Sequence, residues 1–271
     1  MRPTLVIGST GKVGRRVLDL LAERGLPTRA GSRRSDPAFD WDHPGTWADA
    51  LAGVGNLCVS YYPDLAAPGA PAAIEALTAA AVEAGVGRFV LLSGRGEHNA
   101  QLCERIVQGS GLDHTLLRAS WFAQNFSEGH LLEPVLGGVV ALPAGQVAEP
   151  FVDVDDIAEV ALAALTDDRH SGRLYELTGP RLLTFAEAAA EISAAAGREV
   201  AYVPVTAGEF RAALTEVAGS EYADLLTGLC AEVLDGRNAS VAHGVREALG
   251  REPREFGDFC RAAAGTGVWK G

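Results

Sequence analysis

The stretch Thr4 to Arg16, TLVIGSTGKVGRR, constrains the fold more than any other part of the sequence. It consists of a short apolar run, three regularly spaced glycines and the start of a helix. Such glycines permit a tight turn, close approach of a pyrophosphate and close packing of helix on strand, while the helix amino terminus stabilises negative charge. An ordinary glycine turn is the alternative. The position before the first helix of a βαβ unit favours dinucleotide binding, with contacts predicted from Gly8, Thr10, Gly11, Lys12, Val13 and Gly14.

The rest of the sequence alternates apolar runs with amphipathic helices, as expected for a parallel sheet covered on both faces. Predicted strands cover 4–7, 28–32, 56–61, 88–92, 114–118 and 173–177, and predicted helices cover 13–24, 71–84, 99–108 and 155–165. The fold class is therefore α/β, with a Rossmann-type doubly wound parallel sheet.

After Pro180 the sequence favours helices with short connections. Thr184 with Glu187, and Thr206 with Glu209, fit the capping box and predict helices over 185–196 and 207–218. Residues 200–203 are a candidate strand. We expect a Rossmann domain over 1–180 and a smaller, mainly helical lobe over 181–271, to which part of 120–150 contributes.

Composition excludes several partners. The formal net charge is −12, and only Lys12 and Lys270 are lysines, so the surface repels nucleic acid. No apolar run reaches the length of a bilayer span, and the start of the sequence lacks the pattern of a signal peptide. The cysteines, Cys58, Cys103, Cys230 and Cys260, are widely spaced and are expected to be free thiols. We therefore expect a cytosolic protein that does not bind membranes.

The second predicted strand ends in GSRRSD, about twenty residues after the glycines. An acidic residue at this place holds the ribose hydroxyls of NAD, whereas an arginine suits the 2′-phosphate of NADP. Here Ser32, Arg33 and Arg34 occupy the place, and solvated arginines are the alternative reading. The sequence thus favours NADP(H), with NAD(H) as the second choice, and Ser32 and Arg33 as contacts.

Several segments together resemble the NmrA-like branch of the atypical short-chain dehydrogenases. They are GSTGKVG, FDWDHPGTWADALAGV, GVGRFVLLSG, SGLDHTLLRASWFAQNFSEG and PFVDVDDIAEVALAAL. The resemblance covers almost the whole chain and implies that substrate lies between the Rossmann domain and the lobe. It also implies that Ser60, Tyr61, Ser93 and Gly94 line the route to the nicotinamide.

The chain departs from the classical relatives at the proton donor. They use a tyrosine, with a lysine four residues later, to protonate the carbonyl oxygen as hydride arrives. The corresponding places fall near Gly96 and Ala100, and neither a tyrosine nor a lysine stands between Ser93 and His114. His98 is the nearby side chain that titrates near neutrality, so it is the candidate catalytic residue, with a solvated loop histidine as the alternative.

Aromatic residues are concentrated where a flat ligand is expected. The segment SWFAQNF places Trp121, Phe122, Asn125 and Phe126 beside the expected nicotinamide end, and Tyr62 adds a further ring. Each aromatic side chain has a core position as its alternative. We treat these five residues as candidate substrate contacts.

The acidic run FVDVDDIAEV is not interpreted as a metal site. Asp153 or Asp155 is suited to cap the following helix, and carboxylates are favourable near a helix amino terminus. No histidine or further carboxylate completes a ligand set. We expect no metal.

The missing acid narrows the predicted chemistry. Reduction of a quinone or a similar conjugated acceptor delocalises the arriving charge, so it needs less help from a proton donor than reduction of a simple ketone. The leading hypothesis is an NAD(P)H-dependent oxidoreductase acting on a quinone-like or polycyclic aromatic small molecule, in secondary metabolism. A monooxygenase without flavin or metal, hydroxylating a bound quinol, and a non-catalytic NAD(P) sensor for a protein partner are the alternatives. The sequence does not indicate an oligomeric state.

Overall fold

The computed structural model describes residues 2–270, which form a parallel sheet flanked by helices and extended by a mainly helical lobe. The strands are β1 (Thr4–Ile7), β2 (Thr28–Gly31), β3 (Asn56–Val59), β4 (Arg88–Gly94), β5 (Asp113–Ala119), β6 (Val139–Leu142), β7 (Ala148–Glu149), β8 (Arg173–Leu177), β9 (Leu183–Thr184) and β10 (Ala201–Pro204).

The helices cover both faces of the sheet and build most of the lobe. They are α1 (Lys12–Glu23), α2 (Trp47–Leu51), α3 (Ala70–Glu83), α4 (His98–Gln108), α5 (Asn125–Glu128), α6 (Leu132–Leu136), α7 (Val154–Thr166), α8 (Phe185–Ala196), α9 (Ala207–Ala218), α10 (Ser220–Val233), α11 (Gly244–Leu249) and α12 (Phe256–Thr266). Short 3-10 helices cover Pro44–Thr46 and Asp168–His170.

In the described residues the central sheet has the order β2-β1-β3-β4-β5-β8, and all its pairings are parallel. The strand order reverses between β1 and β3, and ligands of such sheets bind outside the carboxyl ends of the strands at this switch point. The segments after β1, β2, β3 and β4 therefore meet at one edge. The predicted Rossmann-type α/β fold is confirmed.

Two apolar layers hold the sheet. On one face Leu5, Leu57 and Phe89 pack with α2, α3 and α4. On the other face Val6, Val90 and Leu117 pack with α1, α7 and α11. Strands that are buried on both faces must be almost wholly apolar, which explains why the first and fourth predicted strands were readable from sequence.

A third core lies in the lobe. It joins residues between Ala123 and Phe151 to residues between Leu183 and Trp269, so the chain enters the lobe core twice. Phe126, Phe185 and Trp269 are almost fully buried there. The indole Nε1 of Trp269 donates a hydrogen bond to the Phe126 carbonyl at 2.9 Å and ties the two segments together.

The predicted elements agree with the structure apart from their ends. Both capping boxes form at Thr184 and Thr206, and helices α8 and α9 have the predicted bounds. The third strand is shorter than predicted, because the sheet ladder stops at Val59. The fourth continues to Gly94, which pairs with Ala119.

Within residues 2–270, no helix combines the length and apolar character needed to cross a bilayer. All four cysteines are free and buried.

Replacing Trp269 with alanine tests the lobe core. We expect the free energy of unfolding to fall by about 3–5 kcal/mol, because a large buried ring is removed and a cavity remains. Urea unfolding followed by far-ultraviolet circular dichroism measures the change. Trp269→Phe, which keeps most of the ring but removes the donor to Phe126, should cost less. Equal stability of Trp269→Ala and the parent protein would contradict the expected role.

Candidate functional site

The turn after β1 requires its glycines. Gly8 has φ +78°, in the left-handed region, and a Cβ placed on it would lie 2.5 Å from the Ser60 carbonyl oxygen. A Cβ on Gly14 would lie 2.2 Å from the Gly8 carbonyl oxygen. Helix α1 therefore begins in direct backbone contact with the turn, and the turn contacts the end of β3. This is the close packing that brings backbone amides to a diphosphate.

The amino terminus of α1 is open. Gly11 is its N-cap, and neither a side-chain cap nor an acidic residue in the first turn satisfies the free N–H groups. Lys12 is the first residue of the helix, whereas Arg15 and Arg16 pair with Glu128 and Asp155. Burial, followed by repulsion from the two arginines, lowers the pKa of Lys12. Unpaired amides, the helix dipole and Lys12 together suit an anionic diphosphate. The residues present thus fit a pyridine dinucleotide.

The polar residues that follow β2 have different roles. The Ser32 hydroxyl accepts the Arg34 N–H at 3.2 Å, and the Ser32 N–H donates to the Ser35 hydroxyl at 3.0 Å, so Ser32 shapes the turn. Arg33 is exposed, and its charge lowers the pKa of Asp40 only as a minor contributor behind His43 and Asp42. The exposed Arg33 guanidinium is therefore free to bind the 2′-phosphate of NADP, for which it was predicted.

An aromatic cluster supports the segment after β3. Tyr61 packs against Trp41 with ring centroids 4.6 Å apart, and Trp41 contacts Phe39 and Trp47. Ser60 lies against Gly8, and its N–H donates to the Ile7 carbonyl at 3.1 Å. Ser60 and Tyr61 therefore lie next to the glycine turn, as the predicted cofactor contacts require.

The Ser93 hydroxyl joins β4 to α4. It is buried and donates to the Glu104 carboxylate at 2.7 Å, and the same carboxylate pairs with Arg118. The structure thus gives this hydroxyl a structural partner, and a contact between Ser93 and the nucleotide stays a prediction.

The predicted substrate contacts separate into core and surface residues. Phe126 is fully buried and packs against Phe151 and Phe256 in the lobe core, which is the alternative position given for it above. Phe122 is half-buried and packs against the Rossmann core. Trp121 is also half-buried, with its edge towards Phe185.

Asn125 and Tyr62 complete the predicted set. Asn125 begins α5 and is half-buried, and its carbonyl accepts the Leu131 N–H at 3.1 Å. Tyr62 is 70% exposed, and Tyr222 of α10 is 37% exposed and lies near both Tyr62 and Asp64. Two exposed rings thus stand beside the strand ends. Tyr222 was not singled out from sequence, because a tyrosine on an amphipathic helix carries no distinguishing signal.

His130 lies beside Lys12 and was not predicted. Its Nε2 is buried and has no hydrogen-bond partner in the described residues, and its ring faces Trp121 at 6.0 Å. Burial, and then repulsion from Lys12, lowers the pKa of His130 to about 4, so the ring is neutral at pH 7.

His98 does not lie in a cleft. It is exposed at the first position of α4, and its backbone N–H donates to Glu232 at 2.7 Å. Its preceding neighbour Glu97 is different, being only 8% exposed.

The carboxyl groups of Glu97 and Asp64 lie close enough to shift each other's pKa. Asp64 follows β3 and Glu97 follows β4, so adjacent strands bring them together. Burial, and then repulsion from Asp64, raises the pKa of Glu97 well above its usual value. Burial also raises the pKa of Asp64. Sequence reasoning missed this pair, because its members are distant in the chain and only the strand order joins them.

Glu149 is a second buried carboxyl group. Both its oxygens are buried without partners among the described residues, and burial raises its pKa to about 7. It lies in β7, where Arg95 partly opposes the increase in pKa. This carboxyl group belongs to the lobe side of the structure.

The acidic run before α7 is structural. Asp153 caps the helix by accepting the Asp155 N–H at 2.8 Å, as predicted. Asp156 is fully buried and pairs with Arg251 and Arg254. Within residues 2–270, no three His, Cys, Asp or Glu side chains are grouped closely enough to hold a metal ion.

A cavity of about 490 Å³ lies at the other edge of the sheet. Thr4, Asn56 and Arg88, the first residues of β1, β3 and β4, line it. Since ligands of this fold bind at the carboxyl ends of the strands, this cavity is distinct from the candidate site.

Solved structures share this fold over nearly the whole chain. NADPH-dependent quinone oxidoreductase from Escherichia coli, complexed with NADPH, is 21% identical with a TM-score of 0.77, over 96% of this chain and 99% of that chain. Triphenylmethane reductase from Citrobacter sp., complexed with NADP(H), is 19% identical with a TM-score of 0.74, over 96% and 99%. NmrA, a negative transcriptional regulator, in complex with NAD, is 15% identical with a TM-score of 0.72, over 98% and 97%.

Sequence relatives are closer. NAD(P)H azoreductase of Xenophilus azovorans is 33% identical over 285 residues, which cover 96% of this chain and 97% of the relative. Agroclavine dehydrogenase of Claviceps fusiformis is 31% identical over 278 residues, covering 94% and 95%. No protein-family model matches the chain. The chain belongs to the NmrA-like branch of the atypical short-chain dehydrogenases.

Gly14→Ala tests the nucleotide turn of this NmrA-like protein. Because the new Cβ would lie 2.2 Å from the Gly8 carbonyl oxygen, helix and turn must separate. We expect a loss of about 1–3 kcal/mol of stability and a decrease in NADPH affinity of roughly tenfold or more. Calorimetric titration with NADPH measures the affinity.

Gly208→Ala is the matched control, because Gly208 lies on α9 and a new Cβ there would meet only the Thr206 hydroxyl, at 4.0 Å. It should leave NADPH affinity unchanged. Unchanged affinity in Gly14→Ala as well would exclude this turn from the nucleotide site.

Proposed function

We propose that this NAD(P)H-dependent oxidoreductase reduces a planar, conjugated small molecule, quinone-like or polycyclic aromatic, and prefers NADP(H). The observation that carries the proposal is the position of exposed Tyr62 and Tyr222 beside the carboxyl ends of the strands, on the edge that carries the glycine turn. Aromatic side chains of this kind stack on flat ligands. Secondary metabolism remains our proposed setting.

The chain's own residues supply binding and orientation. Backbone amides at Gly11 to Gly14 would hold the diphosphate, and Arg33 would meet a 2′-phosphate. The bound nicotinamide would supply the hydride. Trp121 and the lobe would cover the acceptor and exclude water from it.

The names of the relatives support a conjugated acceptor. An azoreductase, a quinone oxidoreductase and a triphenylmethane reductase are all named for extended π-systems. Such acceptors spread the arriving charge, in accord with a site that lacks the tyrosine and lysine of the classical enzymes.

Turnover with a panel of acceptors tests the function. We expect rapid loss of NADPH absorbance in stopped flow when menadione or methyl red is added, and slow loss with a simple aliphatic ketone. Tight NADPH binding without turnover on any acceptor would instead support a nucleotide sensor. Incorporation of labelled oxygen into the product would support the monooxygenase reading.

Arg33→Ala tests the preference for NADP(H). The variant removes a guanidinium that would form a charge-assisted hydrogen bond, so NADPH affinity should fall roughly tenfold or more while NADH affinity changes little. Arg24→Ala removes the same charge from the far end of α1 and should change neither affinity. Equal weakening of both nucleotides by Arg33→Ala would contradict the assignment.

A further inference from the structure

Glu97 stands where a side chain on residue 94 would stand. A Cβ built on Gly94 would lie 1.8–2.2 Å from the Glu97 carboxyl atoms, so the carboxyl group is folded back over the end of β4. This is the position that the family resemblance assigns to the route towards the nicotinamide. A glycine at 94 thus makes room for the acid of residue 97.

Neighbouring contacts fix this arrangement. The Asn99 side-chain amide donates to the Ala66 carbonyl at 2.9 Å and joins the start of α4 to the segment after β3. On that segment Asp64 accepts the Ala66 N–H at 2.8 Å. The two carboxyl groups are therefore held against each other by both of the segments that carry them.

The pair must contain a proton. Glu97 is more than nine-tenths buried, and its Oε2 has no donor among the described residues. Ionising a buried carboxyl group that has neither a donor nor a cationic partner is costly, so Glu97 keeps its proton to higher pH. The charges that face Glu97 are carboxylates as well: Asp64 after β3, Glu232 from α10 and Glu104 from α4. Like charges at such distances oppose ionisation of both groups.

The aromatic surface lies on the Asp64 side of the pair. Asp64 is half-buried, and Tyr222 and Tyr62 lie beside it. A flat molecule against these rings would lie beside the pair, and water can reach the half-buried Asp64.

We infer that Glu97, sharing one proton with Asp64, is the general acid that protonates the acceptor in place of the missing tyrosine. This inference rests on the proposed function. A bound reduced nicotinamide would supply the hydride and be oxidised. Glu97 would give the acceptor a proton, so the acceptor would gain two electrons and two hydrogens in all. Both carboxyl groups would then be ionised, and water would return the proton through Asp64.

Glu97→Gln tests the proton transfer. The amide keeps the shape but cannot give up a proton under these conditions, so the hydride-transfer rate with methyl red should fall about 100-fold at pH 7. With menadione as the acceptor the rate of this variant should fall less, because the reduced form of menadione is less basic. The wild-type rate should decline as pH rises, and that decline should be absent in the variant.

Asp64→Asn distinguishes proton sharing from simple packing. Removal of the neighbouring charge makes Glu97 ionise more easily, so the decline of rate should move to lower pH. His98→Ala tests the rival donor, and it should leave both the rate and its pH profile unchanged because His98 is exposed.

Stability supplies a readout that is independent of activity. The unfolded chain loses the Glu97 proton near the usual value of 4.5, whereas the native chain keeps it to higher pH. The native state then binds more protons, so wild-type stability should fall as pH rises above 4.5. Glu97→Gln should show less of this fall, and Glu149 contributes equally to both proteins.

The outcomes separate the inference from the function. If wild type reduces the dyes but Glu97→Gln keeps the full rate and the full pH dependence of stability, the inference is wrong and the function stands. If His98→Ala abolishes the rate, His98 is the donor. If wild type does not turn over but Glu97→Gln still alters the stability profile, the proton-sharing pair stands and the proposed reaction is wrong.

Discussion

The contact between the backbone of Gly8 and Gly14 controls the rest of the site. Through this contact the amino terminus of α1 packs against the turn after β1. The same turn also contacts Ser60 at the end of β3. The open amides can face an anion only because no side chain stands between helix and strand. The ends of β2, β3 and β4 are then placed by the sheet at fixed distances from that anion. In the function that we propose, nucleotide binding and the position of the acceptor therefore both depend on a single backbone approach.

The second constraint is electrostatic. The carboxyl groups of Glu97, Glu104 and Asp64 lie close together near the end of β4. Their mutual repulsion is relieved in two different ways. Glu104 is neutralised by Arg118, which also reaches Glu176. Among the residues that the structure describes, Glu97 has no such partner, and burial raises its pKa instead. One carboxylate thus holds the strand to its helix, while a second, a short distance away, is the proton donor that we infer.

Sequence reasoning could predict the elements that local rules determine. The glycine turn, the buried strands and both capping boxes follow from neighbours within a few residues, and the structure contains them. The site was harder to predict, since burial decides which polar and aromatic groups are free. Phe126 and Ser93 are adjacent to the site in sequence but are turned into packed surroundings. Asp64 and Glu97 come together only because β3 and β4 are neighbours, which no local pattern encodes.

The aromatic cluster beneath the segment after β3 has an optical consequence. Trp41 and Trp47 lie within 6 Å of each other, and Trp41 also touches Tyr61, the residue after Ser60. Indole emission overlaps the absorption of a reduced nicotinamide, so excitation energy can pass from this cluster to a bound dinucleotide. The protein therefore contains a built-in fluorophore next to its own ligand cleft, and occupancy can be followed by light without any label.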